Sequence, residues 1–283
     1  MELFTVTDGC TGCGLCAAAC PASLVRQRTP GQPPQALAGR EAHCIRCGHC
    51  VIACPTKSFV HALLPPDSFE PIRRKEFPSP GSLRHLLMAR RSCRTYNPAP
   101  VPRDDILALI EAVRHAPTGH NMRQVGYVVV DGPERMDAAR QLVLDWIGLE
   151  VAADSPRAAR LHLAGAARAA ARGKDVIFRH APHVIVAHAP IDGISPEIDA
   201  TIAASWLEIA AMASGYAACW CGYLMFALAA HPPVNAALGI PSGHQGYAAL
   251  LFGRPATRVA QIPPRDMPPV HFYEPGACGN EGE

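Results

Sequence analysis

Eight of the twelve cysteines in this 283-residue chain repeat one spacing twice, C-x2-C-x2-C-x3-C followed at once by proline. The first run is Cys10, Cys13, Cys16, Cys20 and Pro21; the second is Cys44, Cys47, Cys50, Cys54 and Pro55. Such runs point to disulfides, zinc or metal–sulfur clusters. Disulfides need an oxidising compartment, and the opening MELFTVTDGC has neither the basic nor the apolar stretch of a secretion signal. The expectation is therefore a cytoplasmic chain. Zinc is satisfied by paired C-x2-C sites and has no use for a third cysteine at the same spacing or for the trailing proline. Thiolate-held iron–sulfur clusters remain, and clusters gain and lose single electrons.

Residues 1–64 resemble a bacterial two-cluster ferredoxin. The resemblance implies two [4Fe–4S] clusters in which the fourth cysteine of each run serves the other cluster. One ligand set would be Cys10, Cys13, Cys16 and Cys54; the other would be Cys44, Cys47, Cys50 and Cys20. A segment of about sixty residues buries too little apolar surface to offset its chain entropy, so metal–thiolate bonds must staple it. Between the runs, Thr29-Pro30-Gly31-Gln32-Pro33-Pro34 reads as a turn or loop.

The chain is too long to be this module alone. Residues 65–80, PPDSFEPIRRKEFPSP, read as a linker, and 81–283 as a second domain. The formal charge is +2. Each oxidised four-thiolate cluster adds about −2, and no basic patch argues for nucleic acid. Ile209 to Ala230 runs without a charge and is long enough to cross a bilayer. Its Ala and Gly content, with Gly215 and Gly222 breaking it, favours a buried helix running into a core strand.

Ser82 is positioned to cap a helix over Leu83 to Arg90. Pro102 opens another, with Ile106, Leu109, Ile110 and Val113 on one face. Helical patterns follow at 134–148, 157–172 and 197–214. Gly126 to Val130, His183 to Ala187 and Tyr247 to Phe252 read as strands. The fold class is α+β, a sheet covered by helices. No G-x-G-x-x-G occurs.

Four stretches carry polar chemistry. Arg90-Arg91-Ser92-Cys93-Arg94 offers guanidinium forks suited to anionic oxygens. Ala116-Pro117-Thr118-Gly119-His120-Asn121 is a loop with amide and hydroxyl groups. Gly215 to Tyr223 is small enough for backbone to approach a planar ligand. Ile262-Pro263-Pro264-Arg265 holds a late arginine beside stiff prolines. In this order they resemble the FMN-dependent nitroreductase family over about residues 81–270, and the N-terminal module is similar to that of its ferredoxin-fused branch.

The resemblance implies that Arg90, Arg91, Ser92 and Arg94 contact FMN, that Pro117, Thr118, Gly119 and Asn121 reach it from the partner subunit of a homodimer, and that amides near Gly222 and Tyr223 bond the flavin N5 and O4 edge. Arg265, with Arg258 behind it, would pair with the phosphate. The sequence departs from the family in carrying Arg123 where a Gln is usual, and Gly119 and His120 where hydroxyl residues are common. The implied cycle reduces FMN, by electrons from a ferredoxin or NAD(P)H through the clusters, and then reduces a small nitro compound, quinone or activated alkene. His120 is a proton-donor candidate. The alternatives are an electron-transfer or redox-sensing module whose partner is a protein, and a related oxidase or flavin-cleaving enzyme. Cys93, Cys219 and Cys221 are expected to be buried near the flavin, Cys278 to be exposed in a mobile tail, and His180, His183 and His188 to pack in core or loops.

Chelating the iron should unfold residues 1–64 and leave 81–270 folded. Limited proteolysis with circular dichroism checks this; a protease-resistant iron-free 1–64 segment would contradict it.

Overall fold

The computed structural model describes residues 2–273, so Cys278 lies outside the described residues. Strand β1 (Phe4–Val6) leads into the first cysteine run, whose centre is the single turn α1 (Leu15–Ala18). Strands β2 (Val25–Arg26) and β3 (Gln35–Ala36) pair around the proline-rich loop. The second run centres on α2 (His49–Ile52), and β4 (Phe59–His61) returns antiparallel to β1, with Phe4 opposite His61. Helices α1 and α2 start from Gly14 and Gly48, at φ 77° and 76°. Only glycine enters that left-handed region without strain, and the turn it allows buries Cys16 and Cys50. Little else fills this core: Leu3, Leu24, Val25 and the stacked Phe4–Phe59 pair, with ring centroids 4.3 Å apart.

The larger part begins with α3 (Pro80–Ala89). Its cap is Ser79, not Ser82: Ser79 Oγ accepts the Ser82 N–H at 3.1 Å. Pro80 explains the earlier start, because proline at the first helical position has its φ preset and lacks only an N–H that would go unpaired anyway. Helix α4 (Arg103–Val113) follows Pro102 as expected and buries Ile106, Leu109 and Val113. Strand β5 (Gly126–Asp131) precedes α5 (Pro133–Ala152). The expected helix at 157–172 is two, α6 (Pro156–Arg160) and α7 (Leu163–Ala171). His162 breaks it at φ 53°, a turn that brings Ala158 and Leu163 into one core.

Strand β6 (His183–Pro190) and α8 (Pro196–Ala213) come next, then β7 (Ala217–Trp220), α9 (Gly222–Ala230), α10 (Pro232–Ala237) and β8 (His244–Gly253). The uncharged stretch 209–230 is therefore a helix end, a strand and a second helix. The strand is an edge strand, and α9 is an addition to the sequence reading. Among the described residues no helix is long and apolar enough to cross a membrane.

The sheet order is β5-β6-β8-β7, with every neighbouring pair antiparallel. Val184 faces Leu251 and Ile185 faces Leu250 across the two inner strands. Val184, Val186, Ala249 and Leu251 pack on one side with α5, α7 and α9. Ile185, Ala187, Leu250 and Phe252 pack on the other with α4 and α8. Both inner strands are covered on two faces, which is why they read as continuous apolar runs instead of alternating ones. Strands and helices thus form an α+β sheet with helices on both sides.

Phe252 is fully buried, and Phe252→Ala should cost about 3–5 kcal/mol in urea unfolding. A loss under about 1 kcal/mol would mean the sheet is not packed on both faces.

Candidate functional site

The eight run cysteines converge as two sets of four. Cys10, Cys13, Cys16 and Cys54 line one small hollow with Gly12 and Phe59. Cys20, Cys44, Cys47 and Cys50 line another with Leu24, Gly48 and His61. Each hollow takes three cysteines from one run and its fourth from the other. Backbone N–H groups already point at sulfur: Gly12 donates to Cys10 Sγ at 3.4 Å and Leu24 to Cys20 Sγ at 3.3 Å. Burial pushes the Cys50 thiol up to about 11, a cost that a bound cation removes by holding the thiolate.

The two halves differ seven residues after the fourth cysteine. There the first half has Gln27, whose amide donates to the Gly12 and Gln32 carbonyls. The second has His61, fully buried, with Nε2 at 3.4 Å from Cys44 Sγ. His61 Nδ1 accepts the Leu63 N–H at 3.0 Å, so the ring proton must sit on Nε2 and face the sulfur.

The arginine stretch lies at the β7 edge of the sheet. Arg90 Nη1 donates to Glu208 Oε1 at 2.9 Å, and Trp220 Nε1 donates to Glu208 Oε2 at 3.2 Å. One buried carboxylate on α8 thereby holds the arginine stretch against β7. Arg91 donates to the Met88 carbonyl, yet its buried Nε has no partner. Ser92 is half-buried beside it. Arg94 lines a cavity with Arg179, Cys219, Trp220, Cys221, Gly222 and Tyr223. Gly222 and Tyr223 open α9, so their N–H groups have no acceptor within the helix. Cys221 donates to the Ile177 carbonyl, and burial pushes its thiol up to about 12. Cys93 is also pushed up by burial; neither is a ready nucleophile.

The loop before β5 is a separate structure. Gly119 N–H donates to buried Asp199 Oδ1 at 2.9 Å, and Ser195 Oγ donates to the same oxygen. Arg123 N–H closes on Thr118 Oγ1 at 2.9 Å. His120, Asn121 and Arg123 all hold positive φ, 49°, 55° and 53°, a strained run of the kind found at functional sites. Thr118 and Arg123 line a second hollow with Ile110, Val113 and Tyr127. Asn121 Nδ2 donates out of the loop, to the carbonyls of Ile45 at 2.8 Å and Arg46 at 3.2 Å, between Cys44 and Cys47.

The fold therefore gathers Arg90, Arg91, Ser92, Arg94, Gly222 and Tyr223 at one sheet edge. It leaves Pro117, Thr118, Gly119, His120 and Asn121 at the other. Arg258 and Arg265 are exposed in the extended chain after β8 and do not line the arginine cavity. His183 is a core residue, accepting the Val101 N–H at 2.8 Å, and His188 pairs with His244.

Residues 87–254 match the model of the nitroreductase family, well over half of the chain. The chain belongs to the nitroreductase family. Residues 9–59 match a 4Fe-4S dicluster domain. Among solved structures, a nitroreductase with bound FMN from Bacteroides fragilis NCTC 9343 shares 22% identity and a TM-score of 0.57, covering 68% of this chain and 98% of that one. A nitroreductase with bound FMN from Desulfitobacterium hafniense DCB-2 shares 24%, with a TM-score of 0.52 and coverage of 67% and 97%. A BluB-like flavoprotein from Clostridium difficile 630 shares 18%, with a TM-score of 0.51 and coverage of 66% and 94%. These likenesses establish the nitroreductase fold. The protein is a nitroreductase-family oxidoreductase that carries a 4Fe–4S domain.

Sequence reasoning missed Glu208, Asp199, Arg179 and His61. Glu208, Asp199 and His61 act on groups 118, 80 and 17 residues away, and Arg179 reaches the cavity only through the fold. Glu208→Ala should strand Arg90 and the Trp220 N–H and lower stability by about 1–3 kcal/mol. Thermal unfolding checks this, and an unchanged melting point would contradict the clamp.

Proposed function

We propose that the protein is a cytoplasmic flavin enzyme whose N-terminal module, residues 1–64 joined by a 65–80 linker to 81–283, carries two [4Fe–4S] clusters that pass electrons to FMN for reduction of a nitro compound, quinone or activated alkene. The observation that carries this reading is the arginine cavity, on which Arg94, Arg179 and the initial residues of α9 open together; three residues before Arg94, Arg91 has a buried Nε without a partner. That donor set suits an anionic, planar group with carbonyl edges. Arg90, Arg91, Ser92 and Arg94 would hold its phosphate, ribityl and pyrimidine oxygens, and the Gly222 and Tyr223 amides its N5 and O4 edge. Pro117, Thr118, Gly119 and Asn121 would close the site from the partner subunit of a homodimer; Arg265 lies outside the arginine cavity of its own chain and would meet the phosphate only in that assembled site. Bound there, FMN supplies hydride and single-electron chemistry.

The cysteine sets fit the cluster reading by the same test. Four sulfurs converge on each hollow, with N–H groups already aimed at Cys10 and Cys20. The chain's own residues then supply positioning: Glu208 fixes Arg90, Asp199 fixes the Gly119 backbone, and Trp220 and Tyr223 wall the cavity.

Cys13→Ala and Cys47→Ala variants should each lose at least about tenfold of nitroaromatic reduction driven by reduced ferredoxin, measured anaerobically. Full activity in both variants, with flavin bleached rapidly by NADPH alone, would contradict the relay.

A further inference from the structure

Among the described residues, the hydrogen bonds joining 2–64 to 81–273 are both made by Asn121, to the Ile45 and Arg46 carbonyls. Those carbonyls lie between Cys44 and Cys47, in the loop of the second cysteine set. The same loop is braced from the linker: a Cβ added at Gly48 would meet the Phe69 ring at 3.2 Å. Arg46, like Asn121, holds positive φ, 50° against 55°, so two strained turns meet at this seam. Among the described residues, the first set, around Gly12 and Gln27, has no such bond to the larger part.

The seam is at the wrong edge for the chain's own arginine cavity. Loop 118–123 runs into β5, and the cavity sits at the end of β7; these are the two outer strands of the sheet. Three strand spacings separate them, about 14 Å across the sheet, with β6 and β8 between. The same loop is exposed at Pro117, His120 and Met122.

We propose that the second cysteine set is the electron exit, that Asn121 is the positioning residue that seats it, and that the exit serves the flavin cavity of a second copy of the chain instead of its own. This rests on the relay reading above. Each passage oxidises the second cluster by one electron and reduces the flavin by one. Two passages, with two protons from solvent, complete the reduction, and a low-potential one-electron donor refills the clusters through the first set. His61 belongs to the exit: its Nε2–H faces Cys44, whereas Gln27 in the corresponding place bonds carbonyls. A proton donor to a cluster thiolate stabilises the reduced cluster, which draws electrons toward the seam.

Mixed dimers test the crossing. One tagged copy carries Cys47→Ser; the other, with a different tag, carries Arg91→Glu and Arg94→Glu and cannot hold flavin. The only flavin then sits in the copy without an intact second set. On rapid mixing with a reduced two-cluster ferredoxin, that flavin should bleach within about twofold of the wild-type rate per flavin. Bleaching as slow as in the Cys47→Ser homodimer, or failure of the two copies to associate, would overturn the crossing. If the wild type is itself no faster than the Cys47→Ser homodimer, the relay reading falls and this proposal with it.

Asn121→Asp keeps the shape of the side chain but cannot donate to two carbonyls, and tests the seat in protein matched to the wild type in flavin and cluster content. Amide exchange at residues 45–48 should rise and flavin bleaching by ferredoxin should slow, each about tenfold, while cluster spectra persist. Asn121→Gln, which retains the amide, should restore most of both. Unchanged bleaching in Asn121→Asp, whatever the exchange does, would remove Asn121 from the route.

Discussion

Each half of the N-terminal module completes its hollow with a cysteine taken from the other half. Cys54 joins Cys10, Cys13 and Cys16, and Cys20 joins Cys44, Cys47 and Cys50. Neither run is self-sufficient, so the module folds as one unit or not at all. Around those sulfurs the apolar core is only a stacked phenylalanine pair and a few aliphatic side chains, and burial raises the thiols of Cys16 and Cys50. Desolvated sulfur without a cation is a liability; with one, it is the core.

The larger part depends on a different economy of interactions. Its two inner strands are packed on both faces, which leaves the outer strands and their flanking loops as the places where polar chemistry is exposed. The arginine cavity uses the β7 edge and the strained loop uses the β5 edge. Two buried carboxylates hold these features in position: Glu208 ties Arg90 to Trp220, and Asp199 ties Gly119 to Ser195. In both cases a charge is buried only where N–H or O–H donors meet it, as desolvation requires.

The cysteine module was legible because cluster ligation is written in local spacing. Strands β5, β6 and β8 and the helix at Arg103–Val113 were legible because their apolar periods are uninterrupted. Boundaries failed where two residues offered the same chemistry: Ser79 and Ser82 both suit a cap, and only Pro80 decides between them. The 157–172 helix failed because nothing in an alanine-rich stretch announces the turn at His162. Stretch 209–230 hid α9, since small apolar residues serve helix and strand alike.

Of the candidate site, the arginine stretch and the 116–121 loop stood out by their polar side chains, and only the family resemblance gave them roles. What Asn121 does was not legible at all, because its acceptors are backbone carbonyls seventy-odd residues away. Glu208 and His61 likewise meet side chains 118 and 17 residues away, Arg90 and Cys44. We propose that one chain stores electrons in two clusters and a flavin. An anaerobic reductive titration, followed by optical and paramagnetic spectra, should take up about four electrons per chain, one for each cluster and two for FMN. Uptake of about two, with no paramagnetic cluster signal, would contradict it.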